Sequence, residues 1–161
     1  MPDRPEVPDR TIHDGSPLAR VRALCLALPG TEERASHGEA TWFAGGRRAF
    51  VMAADRHHDD RVAFWAAAPD GAQEALVRED PRRWFRPPYV GHRGWVGAWL
   101  DVEDVDWGRV EEVVEDAWRC VAPKRLLAEH DASGPAAPDV PRGRGRSPSR
   151  PPASPGVGGR R

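Results

Sequence analysis

Between Arg82 and Arg93 the chain sets four guanidinium groups, Arg82, Arg83, Arg86 and Arg93, among Trp84, Phe85, Tyr89 and His92, with no carboxylate. Guanidinium forks match phosphate oxygens, and aromatic rings stack on exposed bases. This run therefore suits contact with nucleic acid. The competing structural reading places Trp84, Phe85 and Trp95 in a core and leaves the arginines to solvate an edge. A second basic point is Gly45-Gly46-Arg47-Arg48, where a glycine turn carries Arg47 and Arg48 to a hairpin tip. Such a tip suits salt-sensitive contact with backbone phosphates. The loop Arg56-His57-His58-Asp59-Asp60-Arg61 is a weaker counterpart, because its two aspartates repel phosphate.

Two histidine patterns invite other chemistry. His92 lies between glycines and could act as a general base, given an orienting partner and a substrate. No recognised motif links it to Asp101, Glu39 or Ser36-His37, so a hydrogen-bonded corner residue is the reading preferred. His57-His58-Asp59-Asp60 could ligate a metal. Adjacent histidines on a strand point to opposite faces, and no third cluster supports them, so a solvated loop is expected instead. No metal, cofactor or catalytic residue is assigned.

The elements that position these residues follow from local signals. Ser16-Pro17 opens a helix, with serine as cap and proline at its first position. Leu18, Val21, Leu24, Cys25 and Leu28 give it an apolar stripe, and Pro29-Gly30 stops it. Thr31 to Glu39 is polar and reads as a loop. Strands follow at Thr41-Trp42-Phe43, Arg47 to Ala54 and Arg61 to Ala67. A short helix runs through Ala72, Ala75, Leu76 and Glu79. Extended segments come next at Trp84 to Val90 and Trp95 to Leu100. Asp104 or Asp106 caps a long helix with Trp107, Val110, Val113, Val114, Ala117 and Val121 on its buried stripe, and a short continuation reaches about His130. The order is α-β-β-β-α-β-β-α. Runs of strands without βαβ alternation predict an α+β fold, a single antiparallel-rich sheet with helices on one side.

The 161 residues divide into three parts. Residues 1–14 and 133–161 are rich in proline, glycine and charge and cannot bury enough apolar area to offset ordering, so both are expected to be disordered. Residues 15–132 form one domain. The tail from Ser133 carries six arginines against one aspartate, whereas Asp101 to Asp116 holds eight carboxylates against Arg109. Opposite faces then carry opposite fields. Much of the arginine content, 23 against one lysine, reads as coding bias. Cys25 and Cys120 each sit in an apparent amphipathic helix and are expected to be buried thiols. No run approaches the ~20 apolar residues of a membrane helix, so no membrane partner and a cytoplasmic location are expected.

Several stretches carry a family resemblance. They are Leu28-Pro29-Gly30-Thr31-Glu32-Glu33, Trp65, Asp80-Pro81 with Trp84-Phe85, and Pro87-Pro88-Tyr89-Val90-Gly91-His92-Arg93-Gly94-Trp95-Val96-Gly97. Leu100-Asp101 and Val121-Ala122-Pro123-Lys124-Arg125-Leu126 complete the set. Over about Leu18 to Asp131 the chain resembles the MmcQ/YjbR family. The resemblance implies a compact fold like that of secretion chaperones, and DNA binding through a double wing of hairpin loops. With the basic-aromatic run and the hairpin tip read above, the candidate nucleic-acid contacts are Arg47, Arg48, Arg82, Arg83, Arg86, Tyr89, His92 and Arg93. DNA is the expected partner of a non-enzymatic protein. A homodimeric or chaperone-like protein-interaction module is the alternative, and an enzyme using His92 ranks below both.

Overall fold

The computed structural model describes residues 11–56 and 59–133. Helix α1 spans Pro17–Leu26, and the Ser16 hydroxyl accepts a bond from the Ala19 amide at 3.2 Å. Strands β1 (Thr31–Ser36), β2 (Glu39–Ala44), β3 (Arg48–Asp55) and β4 (Val62–Ala66) follow in an antiparallel meander. Helix α2 (Ala72–Glu79) leads to the two-residue β5 (Trp84–Phe85). A single 3-10 turn (Gly91–Arg93) then precedes β6 (Val96–Trp99). Helices α3 (Trp107–Val121) and α4 (Lys124–Ser133) close the described part. The sheet runs β1-β2-β3-β4-β6-β5, with every neighbour antiparallel. The expected α+β class, one sheet with helices on one side, is what the chain adopts.

Period-two alternation sorts the strand residues between two faces. Trp42, Val51, Ala66 and Val96 form one cross-strand row, and Ala53, Phe64, Ala98 and Trp84 the next. All eight are buried. Against the sheet, α3 lays Val110, Val113, Val114, Ala117 and Trp118 over β3 and β4, with α1 packed beside it. The Asp106 carboxylate caps α3 by accepting from the Arg109 amide. The Trp118 indole donates to Pro29 O at 3.1 Å, which ties α3 to the end of α1. The opposite face carries Thr41, Met52, Trp65, Gly97 and Phe85 in one row, and Ala54, Ala63 and Trp99 in another.

One strand was not expected. Thr31–Ser36 pairs along its whole length with β2, although it is polar and largely exposed. It is an edge strand, so no apolar alternation marks it. The two-residue turn His37-Gly38, with φ of 52° and 79°, sets its register. Side chains hold it: Glu33 accepts from Arg22 at 2.7 Å and from the Trp42 indole at 2.9 Å. Arg34 lies 4.0 Å over the Phe43 ring and donates to Gly46 O at 3.0 Å. The charges on its free edge discourage further strand addition.

The last helix is fixed to α3 and to the turns. His130 meets Glu115 at 2.9 Å and packs edge-on to Trp118, with centroids 5.1 Å apart. Arg119 bridges Glu115 and Asp131 at 3.1 and 3.0 Å. At its start, Leu126 and the preceding Pro123 press on two glycines. A methyl on Gly30 would meet Leu126 at 2.6 Å, and one on Gly45 would meet Pro123 at 2.8 Å. The Gly45 amide also donates to Gly30 O. Of the two thiols, Cys25 is buried as expected, but Cys120 is exposed, because it falls off the inward stripe of α3. Among the described residues no helix is long and apolar enough to cross a membrane.

Candidate functional site

A cavity of about 830 Å³ brings together residues far apart in sequence. The β2–β3 turn and the start of β3 supply Arg47 and Arg48, and the end of β1 and the β1–β2 turn supply Ser36 and His37. Met52, Trp65, Ala67 and Ala68 line it from β3, β4 and the segment beyond. Tyr89, Val90, Arg93 and Trp95 come from the corner before β6, and Cys120 and Val121 from the end of α3. The lining is apolar within, with guanidinium groups at its margin.

Each wall has a local cause. Gly45 and Gly46, at φ of 62° and 74°, give the β2–β3 turn a curvature that side-chain-bearing residues seldom reach, and it delivers Arg47 and Arg48 exposed. The corner is built from short bonds: Val90 N to Pro88 O at 2.7 Å, and Gly91 N to Pro87 O at 3.1 Å. Between them Tyr89 is held at φ 63°, with 73 % of its surface exposed. A tyrosine rarely adopts that backbone, and such strain clusters at functional sites. Gly94 at φ 85° closes the 3-10 turn. Gln73, buried in α2, clamps the corner from behind by donating to Gly91 O at 2.8 Å and also to Trp95 O.

The electrostatics divide the candidate arginines into two groups. Among the described residues, Arg47, Arg48, Arg86 and Arg93 form no ion pair, and Arg93 lies 6.0 Å over the Trp95 ring. Arg82 and Arg83 instead bind Asp80, at 3.3 and 3.1 Å, and Arg83 also donates to the Asp104 carbonyl. The hydrogen bond from Arg82, joined by that from Arg83, holds the Asp80 carboxyl below the usual carboxylate range. Neither arginine lines the cavity. Arg86, His92 and Arg93 border a neighbouring groove of about 310 Å³, shared with Asp70 and Glu74. His92 is exposed there, and no side chain among the described residues hydrogen-bonds its ring. His57 and His58 lie outside the described residues. Among the described residues no group of three His, Cys, Asp or Glu could hold a metal ion.

A family model, YjbR, matches residues 26–120. The chain belongs to the YjbR family. The matched span contains every candidate residue and most of the cavity lining, including the corner from Pro87 to Gly97. Among solved structures it is similar to the Deinococcus radiodurans protein DR2400, which carries a DUF419 domain. The identity is 16 % and the TM-score 0.57, over 70 % of this chain and 86 % of that one. At that identity the likeness concerns the fold. No curated protein matches the chain.

Within this YjbR domain, six of the eight candidate contacts fall on one connected region: Arg47, Arg48, Tyr89 and Arg93 at the cavity, with Arg86 and His92 in the groove beside it. Arg82 and Arg83 stand apart. Sequence reasoning weighed His37 only as a partner for His92, whereas a left-handed turn brings it to the cavity; it missed Gln73, whose role rests on contacts no spacing reveals. It counted the eight carboxylates of Asp101 to Asp116 against Arg109 alone. Asp101, Glu112 and Glu115 are in fact paired with Arg61, Arg109 and Arg119.

Proposed function

We propose that this YjbR-family chain is a non-enzymatic DNA-binding protein. Arg47, Arg48 and Arg93 bind backbone phosphates, and Tyr89 offers a stacking surface beside them. One observation carries the reading: three exposed guanidinium groups, without ion pairs among the described residues, surround one cavity with an aromatic lining. Arg86 and His92 extend the same basic region. Arg82 and Arg83 are committed to Asp80 and are not counted among the contacts. The β2–β3 turn serves as one wing, and the corner at Tyr89 takes the place of a second. The reading carries a cytoplasmic location with it.

The test is fluorescence anisotropy of labelled DNA against the full chain across a salt series. Three to four phosphate contacts give a log–log salt slope of about −2 to −4. The variant Arg47→Ala/Arg48→Ala/Arg93→Ala should lose most of that slope and at least about tenfold in affinity. Absence of binding at low salt, or binding indifferent to salt, would refute the proposal. A second reading is a protein-interaction or homodimeric module. Light scattering of the full chain, with and without residues 133–161, separates the two.

A further inference from the structure

The DNA-binding reading leaves the cavity itself without a task, because phosphates need only its rim. We infer that the cavity receives an unpaired base, so the preferred ligand is single-stranded DNA, with one nucleotide's base inside and its phosphates on Arg47, Arg48 and Arg93. The inference rests on the proposed DNA binding and adds the form of DNA.

Three observations carry it. First, about 830 Å³ lies within the range of small-molecule sites, roughly 300–1,000 Å³, and far exceeds what a phosphate contact requires. Second, the inner lining is aromatic and apolar, with Trp65, Trp95 and Met52, while the cations stand at the margin. That gradient from apolar to cationic matches a nucleotide, whose base is flat and weakly polar and whose phosphate is charged. Third, Tyr89 is the one exposed aromatic ring of the cavity, set at its mouth by a left-handed backbone. A ring so placed can cover one face of an inserted base.

Duplex DNA cannot use these features. Its bases are stacked and paired, so only their edges and the backbone are accessible. A duplex meets the arginines and leaves the cavity empty unless a base is flipped, which costs a few kcal/mol. In a single strand the base is already available, and each base–aromatic stack is worth about 1–3 kcal/mol.

The experiment compares four ligands with the full chain by anisotropy and competition: a labelled single strand of about 12 nucleotides, the same sequence as duplex, an abasic strand of equal length, and free deoxynucleotide monophosphate. The expected result is a single strand bound at least tenfold more tightly than duplex or abasic strand. Tyr89→Gly should weaken the single strand about five- to hundredfold, and duplex and abasic strand less than twofold. Glycine suits the left-handed backbone, so this variant keeps the corner. Arg47→Ala/Arg48→Ala should weaken all three polymers together. Equal binding of single strand, duplex and abasic strand overturns the inference and leaves DNA binding intact. No binding of any polymer overturns both. A monophosphate that binds as tightly as the strand also overturns it, and makes a free nucleotide the ligand.

Discussion

Replacing Gly97 with alanine tests why the corner sequence ends in glycine. Gly97 sits in β6 between Trp65 and Phe85, and its backbone angle is not left-handed. Its reason is space. The Phe85 ring lies flat across it, so a β-carbon would overlap three ring atoms. The ring has little room to retreat. It is stacked on Trp99, with centroids 4.0 Å apart and planes 22° from parallel. Arg61 lies 4.0 Å over Trp99 and is bound to Asp101 at 2.8 Å. Overpacking of this kind costs about 1–3 kcal/mol. The reduced entropy of the unfolded chain returns about 0.4–1 kcal/mol. Taken at their midpoints these leave a net loss of about 1.3 kcal/mol, or about 5 °C in Tm for a domain of this size. Calorimetry or circular dichroism measures it. The decisive control is Phe85→Leu, which removes the ring. In that background Gly97→Ala should cost less than about 0.5 kcal/mol, so the pair couples by at least about 0.5 kcal/mol. An unchanged Tm, or an equal loss with and without Phe85, would refute the packing argument.

Two further outcomes follow from the buried and paired groups. Gln73→Leu leaves Gly91 O and Trp95 O without their shared donor and should cost about 1–3 kcal/mol in urea titration; a loss below about 0.5 kcal/mol would show that the corner holds itself. Acid should unfold the domain partly through Asp101 and Glu115. A bond from Arg61 lowers the Asp101 carboxyl from its ordinary 3.8, and one from His130 lowers Glu115 from 4.5. Folded values below unfolded ones mean that their stabilisation is present above those ordinary values. It disappears as pH falls through the folded values. The urea midpoint of the wild type should drop below about pH 4.5, and the drop should be shallower in Asp101→Asn/Glu115→Gln. Superimposable pH profiles would exclude these carboxylates as the cause.

The parts of the fold legible in the sequence are those with local causes. Ser16-Pro17 and Asp106 cap their helices with bonds three residues ahead. The stripe from Val110 to Ala117 needs only helical spacing. Gly45-Gly46 marks a turn because few other residues reach those angles. Strand β1 was illegible because its evidence is not local: Glu33 is fixed by Arg22 and Trp42, nine to eleven residues away. Extended pairing was expected to continue from Trp84 to Val90. It ends at Phe85, because Pro87 and Pro88 cannot donate to a ladder and the chain turns instead. The cavity could not be read either, since it joins two hairpin turns to a distant corner. The capture of Arg82 and Arg83 had a visible signal: an aspartate two and three residues before them lies within reach of both.

The seating of Gly45 on Pro123, and of Gly30 on Leu126, places a condition on when the basic rim exists. Arg47 and Arg48 are synthesised early, but the residues beneath their turn come near the end of the domain. A nascent or clipped chain that stops before Pro123 has both arginines and both glycines, with nothing under them. The turn between β2 and β3 therefore gains its full packing only when the last helix docks. A fragment that stops before Pro123 carries Arg47 and Arg48 on a turn that lacks the contacts under Gly45 and Gly30.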